Sequence, residues 1–274
     1  MLSLRLGDQG LPVGRVQQRL ADAGANLVVS GVFDARTDAA VRAFQAERKL
    51  RVDGIVGNAT IAALGLDWIA VDPLGFRTEI VRIAEREWGR WHVNGTKLVE
   101  TDPAMTSVLQ GYYRTGIGRA VDAVDLQDAG WQFAHPWSAV FISWVMRTAG
   151  AGRRFAYSAA HQRYIAAAKA NRLGADVDNP VWAFPIGELA PAAGDLACKG
   201  RRNSGASYEN IDDGPRQSHV DVVVAVDGDA VMTIGGNVDQ TVGRKRVRTS
   251  GGLVDVTAAG QHEYFAVIRV QQFD

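Results

Sequence analysis

Cysteine is nearly missing from this chain: its 274 residues contain one, Cys198. A single thiol excludes an internal disulfide and any zinc cluster built on several cysteines. An excess of charge of one sign is missing too. Thirty lysines and arginines offset thirty aspartates and glutamates, so no global field draws the chain to nucleic acid or to an anionic membrane. No apolar run approaches the ~18 residues of a membrane helix, and no transmembrane segment is expected. The opening residues lack the apolar core of a classical signal peptide. No His-Glu-x-x-His pair, Gly-x-Ser-x-Gly elbow or phosphate-binding loop occurs. A zinc amidase is thereby disfavoured, and no metal or other cofactor is expected.

What is present suits a globular protein of one large or two small domains, with 47% hydrophobic and 22% charged residues. A short repeat marks the N-terminal part. Gly31-Val32-Phe33-Asp34-Ala35-Arg36-Thr37 is echoed by Gly54-Ile55-Val56-Gly57-Asn58-Ala59-Thr60. Each copy joins a turn glycine to an apolar plug, and each threonine is expected to cap a helix. Val41 and Phe44 would face inward on one helix, Ile61 and Leu64 on the next. Val13, Val16 and Leu20 form a third stripe that ends at Gly24. Three short helices joined by glycine turns make a bundle.

Residues 3–66 resemble the type 1 peptidoglycan-binding domain family. The resemblance rests on Leu6-Gly7-Asp8-Gln9-Gly10, Val16-Gln17-Gln18-Arg19-Leu20, Gly31 to Asp34, Val41-Arg42-Ala43-Phe44-Gln45 and Asp53 to Gly57. It implies a three-helix module over residues 1–66 that holds bacterial cell-wall polymer. Pro73 and Gly75 then mark residues 67–75 as a linker.

The second domain, residues 76–274, begins with helices. Ile80, Ala84 and Trp88 share a face, with Arg82, Glu85 and Arg86 outward, and Asp102-Pro103 is a helix start. A loop rich in glycine and acid follows over residues 116–130. Trp137, Phe141, Trp144 and Val145 then recur at helical spacing behind His135-Pro136, so Ser138 lies in a first turn. Unpaired N–H groups and the positive dipole end gather there and stabilise an attacking oxygen or sulfur anion. A further helix is expected over residues 158–173. Beyond Pro191 the pattern changes: residues 191–198 are a turn feeding a short strand, and strands are expected over residues 219–226, 231–234, 244–248 and 264–270, with a hairpin turn at Asp227-Gly228. Helices followed by an antiparallel sheet is an α+β order.

Amide cleavage by a nucleophile needs an activated oxygen or sulfur, a histidine in reach and a polar group to fix that histidine. Ser138 and His219 supply the first two. Pairing about the Asp227-Gly228 turn brings Asn237 to the same rim of the sheet as His219. Asp221 and Asp239 are weaker choices for the third member. Cys198 sits in an apolar strand pattern and is expected to be a buried small hydrophobe. His135 and His161 are expected to be surface or packing residues. Asp195 is expected to fix a turn, and residues 244–246 to form a solvated strand face.

The run Pro136 to Val145, residues 191–196, Ser218-His219-Val220 and Gly236-Asn237 look like the layout of the CHAP and NlpC/P60 papain-like amidases and peptidases. They look still more like the bacterial family DUF2272. The resemblance covers residues 76–271 and implies a helical half packed on an antiparallel sheet with the site between them. It implies Ser138 as nucleophile in place of cysteine, His219 as base and Asn237 as the polar third member. A thiol titrates near ~8.5, whereas a serine must lose its proton during attack. Ser138 is therefore a native nucleophile, a deliberate replacement of cysteine, or the relic of a domain that kept binding and lost chemistry. The expected activity is cleavage of an amide in the peptidoglycan stem peptide or at its junction with muramic acid; the alternative is a non-catalytic wall-binding protein. Delivery by phage lysis or a secretion machine is expected, and an inhibitor or immunity protein is a possible partner.

Overall fold

Valines and a leucine at helical spacing explain the first helix, α1 (Leu11–Asp22), whose Val13, Val16 and Leu20 are buried. This computed structural model describes residues 3–8, 11–66, 75–174, 179, 181–201 and 204–270. With α2 (Ala35–Glu47) and α3 (Asn58–Ala63), α1 encloses a small core around Phe33, Val41, Phe44, Val56 and Ile61. The caps differ from expectation. Asp34 caps α2 by accepting from Thr37 N–H, and Gly57 precedes α3, so both threonines lie one turn inside.

Two buried glutamines explain why the turns of the repeat look alike. Gln17 Nε2 donates to Val32 O and Thr37 Oγ1, both at 2.9 Å, while its Oε1 accepts from Gly31 N–H at 2.9 Å. Gln45 repeats the pattern with Ile55 O at 2.9 Å, Thr60 Oγ1 at 3.2 Å and Gly54 N–H at 3.0 Å. Each amide satisfies a turn that the helices leave bare. Gln45→Ala is expected to cost about 1–3 kcal/mol, the penalty for unpaired buried groups, read as a lower unfolding midpoint in urea.

The expected linker lies outside the described residues apart from Gly75, which opens α4 (Gly75–Trp91). Its buried face is Phe76, Ile80, Ile83, Ala84, Glu87 and Trp91. Trp88 is only partly buried against the core, so the face is rotated from the expected one. Glu87 is tolerated there because Tyr112 Oη donates to it at 2.7 Å and Arg86 and Arg90 flank it. A two-stranded ribbon, β1 (His92–Val93) and β2 (Thr96–Lys97), leads to a short 3₁₀ turn capped by Asp102 and then to α5 (Thr106–Ile117). The expected loop over 116–130 contains two short helices, α6 (Ala123–Gln127) and α7 (Ala129–Ala134). They are too short for periodicity to reveal. The central helix α8 (Ser138–Thr148) is followed by α9 (His161–Leu173).

The strands are β3 (Val181–Pro185), β4 (Leu196–Gly200), β5 (Ser218–Asp227), β6 (Ala230–Val238), β7 (Thr241–Ser250), β8 (Leu253–Val254) and β9 (Tyr264–Val270). They form a curved antiparallel sheet in the order β3-β9-β4-β5-β6-β7-β8. The architecture is α+β. The β5–β6 turn is Gly228-Asp229, one residue later than expected, since Asp227 pairs with Ala230.

α8 is buried along nearly its whole length, against α5 and against β5 and β6. A Cβ on Gly236 would stand 2.4 Å from Phe141 Cβ, so glycine there lets β6 lie directly on α8. Trp137 stacks on Trp91 with ring centroids 5.1 Å apart, and Tyr112 abuts Trp137, Phe141 and Trp144. Such pairs add about 0.5–1.5 kcal/mol each beyond area burial. This aromatic cluster holds the start of α8 in place. Among the described residues no helix is long and apolar enough to cross a membrane.

Candidate active site

Ser138 is the first residue of α8, behind Trp137 at the cap position, and no side chain caps the helix. The first-turn N–H groups therefore have no acceptor in the helix itself. Ser138 is 2% exposed, and its Oγ lies 2.8 Å from Nε2 of His161, itself 5% exposed. His161 opens α9, and its Nδ1 meets the hydroxyl of Tyr164 one turn later. Of the two places expected for His161, packing or the surface, the structure shows a buried ring, and it is packed against Ser138. Burial pushes the His161 pKa well below the ordinary histidine range, and the neighbouring His219 pushes it further in the same direction. A neutral Nε2 can then accept the serine proton.

His219 opens into a different contact from the expected one. Its Nε2 lies 2.8 Å from Oδ1 of Asp221, two residues along β5 and on the same face. Burial would raise the Asp221 carboxyl, but the charges of His219, Lys199 and Lys245 outweigh it and hold the pKa well below the usual carboxylate range. The His219 ring stands edge-on to His161 with centroids 5.2 Å apart. The two histidines adjoin, and it is His161 that holds the serine oxygen.

Asn237 lies level with His219 if the Val222–Ile234 register is continued, yet its hydrogen bonds go elsewhere. Its backbone is left-handed, with φ at 53°. With its amide oriented so that both ends are paired, its Nδ2 donates to Oε2 of Glu100 at 3.2 Å and its Oδ1 accepts from Trp137 N–H at 3.3 Å. Trp137 Nε1 donates to the same Glu100 oxygen at 2.6 Å. Burial raises the Glu100 pKa, partly offset by that indole donor. Asn237 and Glu100 thus pin the residue before Ser138, while the expected place of Asn237 beside His219 is occupied by Asp221.

Gly235 explains how Asp221 fits. A Cβ there would lie 1.8 Å from Asp221 Oδ1 and 3.2 Å from His219 Nε2. Gly235→Ala is expected to push the carboxylate off His219 and to cost about 1–3 kcal/mol through overpacking. Urea unfolding of the variant against the parent chain checks this.

The chain of contacts opens on a cleft of about 690 Å³, lined by Ser138, His161, Asn237, Glu100, Arg216 and Ser218 among others. The remaining candidates lie apart from it. Cys198 is buried, and burial raises its pKa far above the thiol range, as expected of a packing residue. Asp195 accepts from Ala192 N–H, which fixes its turn, and pairs with Arg77 and Arg269. His135 stacks on Trp131, and Asp239 is exposed. Arg244 pairs with Glu85 and lies over Trp88, while Lys245 and Arg246 are exposed.

A family model for DUF2272, described as uncharacterized protein conserved in bacteria, matches residues 85–270, which contain every residue of this cleft. The chain belongs to the DUF2272 family. Ahead of its DUF2272 domain, residues 9–64 match the model of a peptidoglycan binding domain. Among solved structures, the chain is similar to a Burkholderia AP3 phage endolysin, at 30% identity over 35% of this chain. It spans 40% of that endolysin, and with a TM-score of 0.23 the likeness carries no argument about the site. No curated protein matches the chain.

His161 and Tyr164 could have been found as a pair at i, i+3 on one helix face. Asp221 could have been preferred over Asn237 from strand period alone. Glu100 had no signal, because it lies in an irregular segment whose placement depends on the whole fold.

Proposed function

We propose that this DUF2272 protein is a peptidoglycan hydrolase. Residues 1–66 hold the wall and raise the local concentration of substrate for the second domain, residues 76–274. The second domain cuts an amide in the stem peptide, or the amide that joins the stem to muramic acid. The observation that carries this reading is the 2.8 Å contact between Ser138 Oγ and His161 Nε2 at an uncapped helix start. The peptidoglycan-binding domain on the same chain supports the choice of substrate.

In this mechanism Ser138 O–H donates to His161 Nε2, and the Oγ attacks the amide carbon as the proton passes to the imidazole. First-turn N–H groups of α8 stabilise the oxyanion. His161 then returns the proton to the departing nitrogen, leaving an acyl ester on Ser138. Water, deprotonated by His161, releases the acid and restores the hydroxyl. Tyr164 accepts from His161 Nδ1–H and so fixes the tautomer. His219, held by Asp221, positions the His161 ring. Asn237 and Glu100 position the helix start. The site of action would be the bacterial wall, reached by phage lysis or through a secretion machine.

Purified sacculi incubated with the full chain should release fragments carrying a new amine, identified by mass. Sacculi left intact would overturn the hydrolase reading in favour of a protein that only binds the wall.

A further inference from the structure

Asp8 belongs to the N-terminal domain, yet its carboxylate packs against the second. It is 6% exposed, and a Cβ on Gly152 would stand 2.7 Å from its Oδ1 and 3.1 Å from its Cγ. Gly152 has a left-handed φ of 56°, so backbone and space both favour glycine there. Arg5 N–H donates to Asp8 Oδ2 at 2.9 Å, and Phe33 N–H donates to Asp8 O at 2.8 Å. These bonds tie the carboxylate to the core of its own domain. Burial raises its pKa, offset in part by the Arg5 N–H and by the charges of Arg154, Arg5 and Arg153. The rest of the junction is loose. α1 lies against α4, but the two apolar cores stay separate. A cavity of about 380 Å³ remains between Leu6 and Asp8 on one side and Arg147, Arg153 and Tyr157 on the other. A small polar junction of this kind lets domains separate.

Gly152 lies in the connection between α8, which starts at Ser138, and α9, which starts at His161. Tyr157 Oη donates to Gly152 O at 2.7 Å. The Tyr157 ring stands edge-on to Phe155 with centroids 5.4 Å apart, and Phe155 packs on Tyr164 at 4.8 Å. Tyr164 in turn is the partner of His161 Nδ1. A chain of direct contacts thus runs from Asp8 to the histidine of the site. The connection is also pinned to α8, because Ser143 Oγ donates to Ser158 O at 2.8 Å and accepts from Ser158 N–H at 3.0 Å. Packed chains of this kind carry coupling between separated sites when one end has two arrangements. Here the docked domain is that end.

We propose that the N-terminal domain, docked through Asp8 on the Gly152 turn, is a strut for His161. Docked, it fixes the connection between α8 and α9, and with it the Tyr164 hydroxyl that holds the His161 ring. Undocked, the connection loosens and His161 spends less time on Ser138. The domain thereby acts on the site itself, apart from raising the local concentration of substrate. The inference rests on the hydrolase reading for its effect on turnover, and on the contacts alone for its effect on the connection.

Full-length variants can undock the domain from either side, away from the reacting atoms. Gly152→Ala puts a methyl group into Asp8, and Asp8→Arg sets a cation against Arg153 and Arg154. Hydrogen exchange read by mass spectrometry should quicken about tenfold over residues 149–164 in both, with residues 35–64 and the β5–β6 hairpin unchanged. Asp8→Asn, which keeps an acceptor for Arg5 N–H, should quicken it to a lesser degree. On a soluble muropeptide too small to reach both domains, kcat should fall about tenfold in Gly152→Ala and Asp8→Arg with little change in KM. Parental exchange over residues 149–164 in both Asp8 variants would overturn the strut, since Gly152→Ala alone also strains its own turn. Quickened exchange with parental kcat would overturn it as well. Exchange is read without catalysis, so the two readings fail separately. Intact sacculi with quickened exchange would sink the hydrolase alone; digested sacculi with unmoved exchange would sink the strut alone.

Discussion

Ser138→Ala is expected to lower the release of wall fragments by about 10⁴-fold or more, the scale on which loss of an attacking serine acts. The fold should survive. Ser138 Oγ makes one buried hydrogen bond, to His161, and losing it costs about 1–3 kcal/mol of stability. A melting transition that moves by a few degrees while activity disappears would separate chemistry from folding. Ser138→Cys adds a further reading. A site built for serine should run more slowly with the thiol, because the larger sulfur does not fit the 2.8 Å contact that Ser138 Oγ makes with His161 Nε2. Activity that rises in Ser138→Cys would instead mark a site tuned for cysteine, and undiminished cleavage by Ser138→Ala would remove Ser138 from the mechanism.

The helix that carries Ser138 was legible because its signals are local. Apolar spacing, a preceding proline and a following glycine all fall within residues 134–150. The β5–β6 hairpin was legible for the same reason, as a β-branched run meets a glycine turn and a second run. His161 was not legible as a partner of Ser138. It lies 23 residues away along the chain, and what joins them is the docking of one helix start against another, a tertiary fact with no sequence period. Asn237 shows the opposite failure. Strand register brings it level with His219, but its left-handed backbone turns the amide toward Glu100 and Trp137. Register places a residue; local dihedrals decide where its side chain goes. Edge strand β3 was missed because Pro180 and Pro185 bracket it, and proline inside or beside a run argues against a strand unless the strand lies at an edge.

The two histidines make opposite demands on the same experiment. His161→Gln is expected to reduce turnover about as severely as Ser138→Ala, since the two act as one unit. His219→Gln removes only a neighbour of the base and should cost about 10–100-fold. Their pH profiles should differ in kind. In the parent chain kcat/KM should fall on the acid side only well below the ordinary histidine value of ~6.5, because burial keeps His161 neutral. His219→Gln removes a nearby group that lowers the His161 pKa, so its acid limb should move upward; an unmoved limb would mean that His219 does not act through His161. Stability should follow a related course. A histidine with a lowered folded pKa binds fewer protons folded than unfolded, so stability is lost as pH falls below the unfolded value of ~6.5. His161→Gln should flatten that loss even as it ends catalysis. Equal activity in the two variants, or a more severe loss in His219→Gln, would transfer the role of base from His161 to His219.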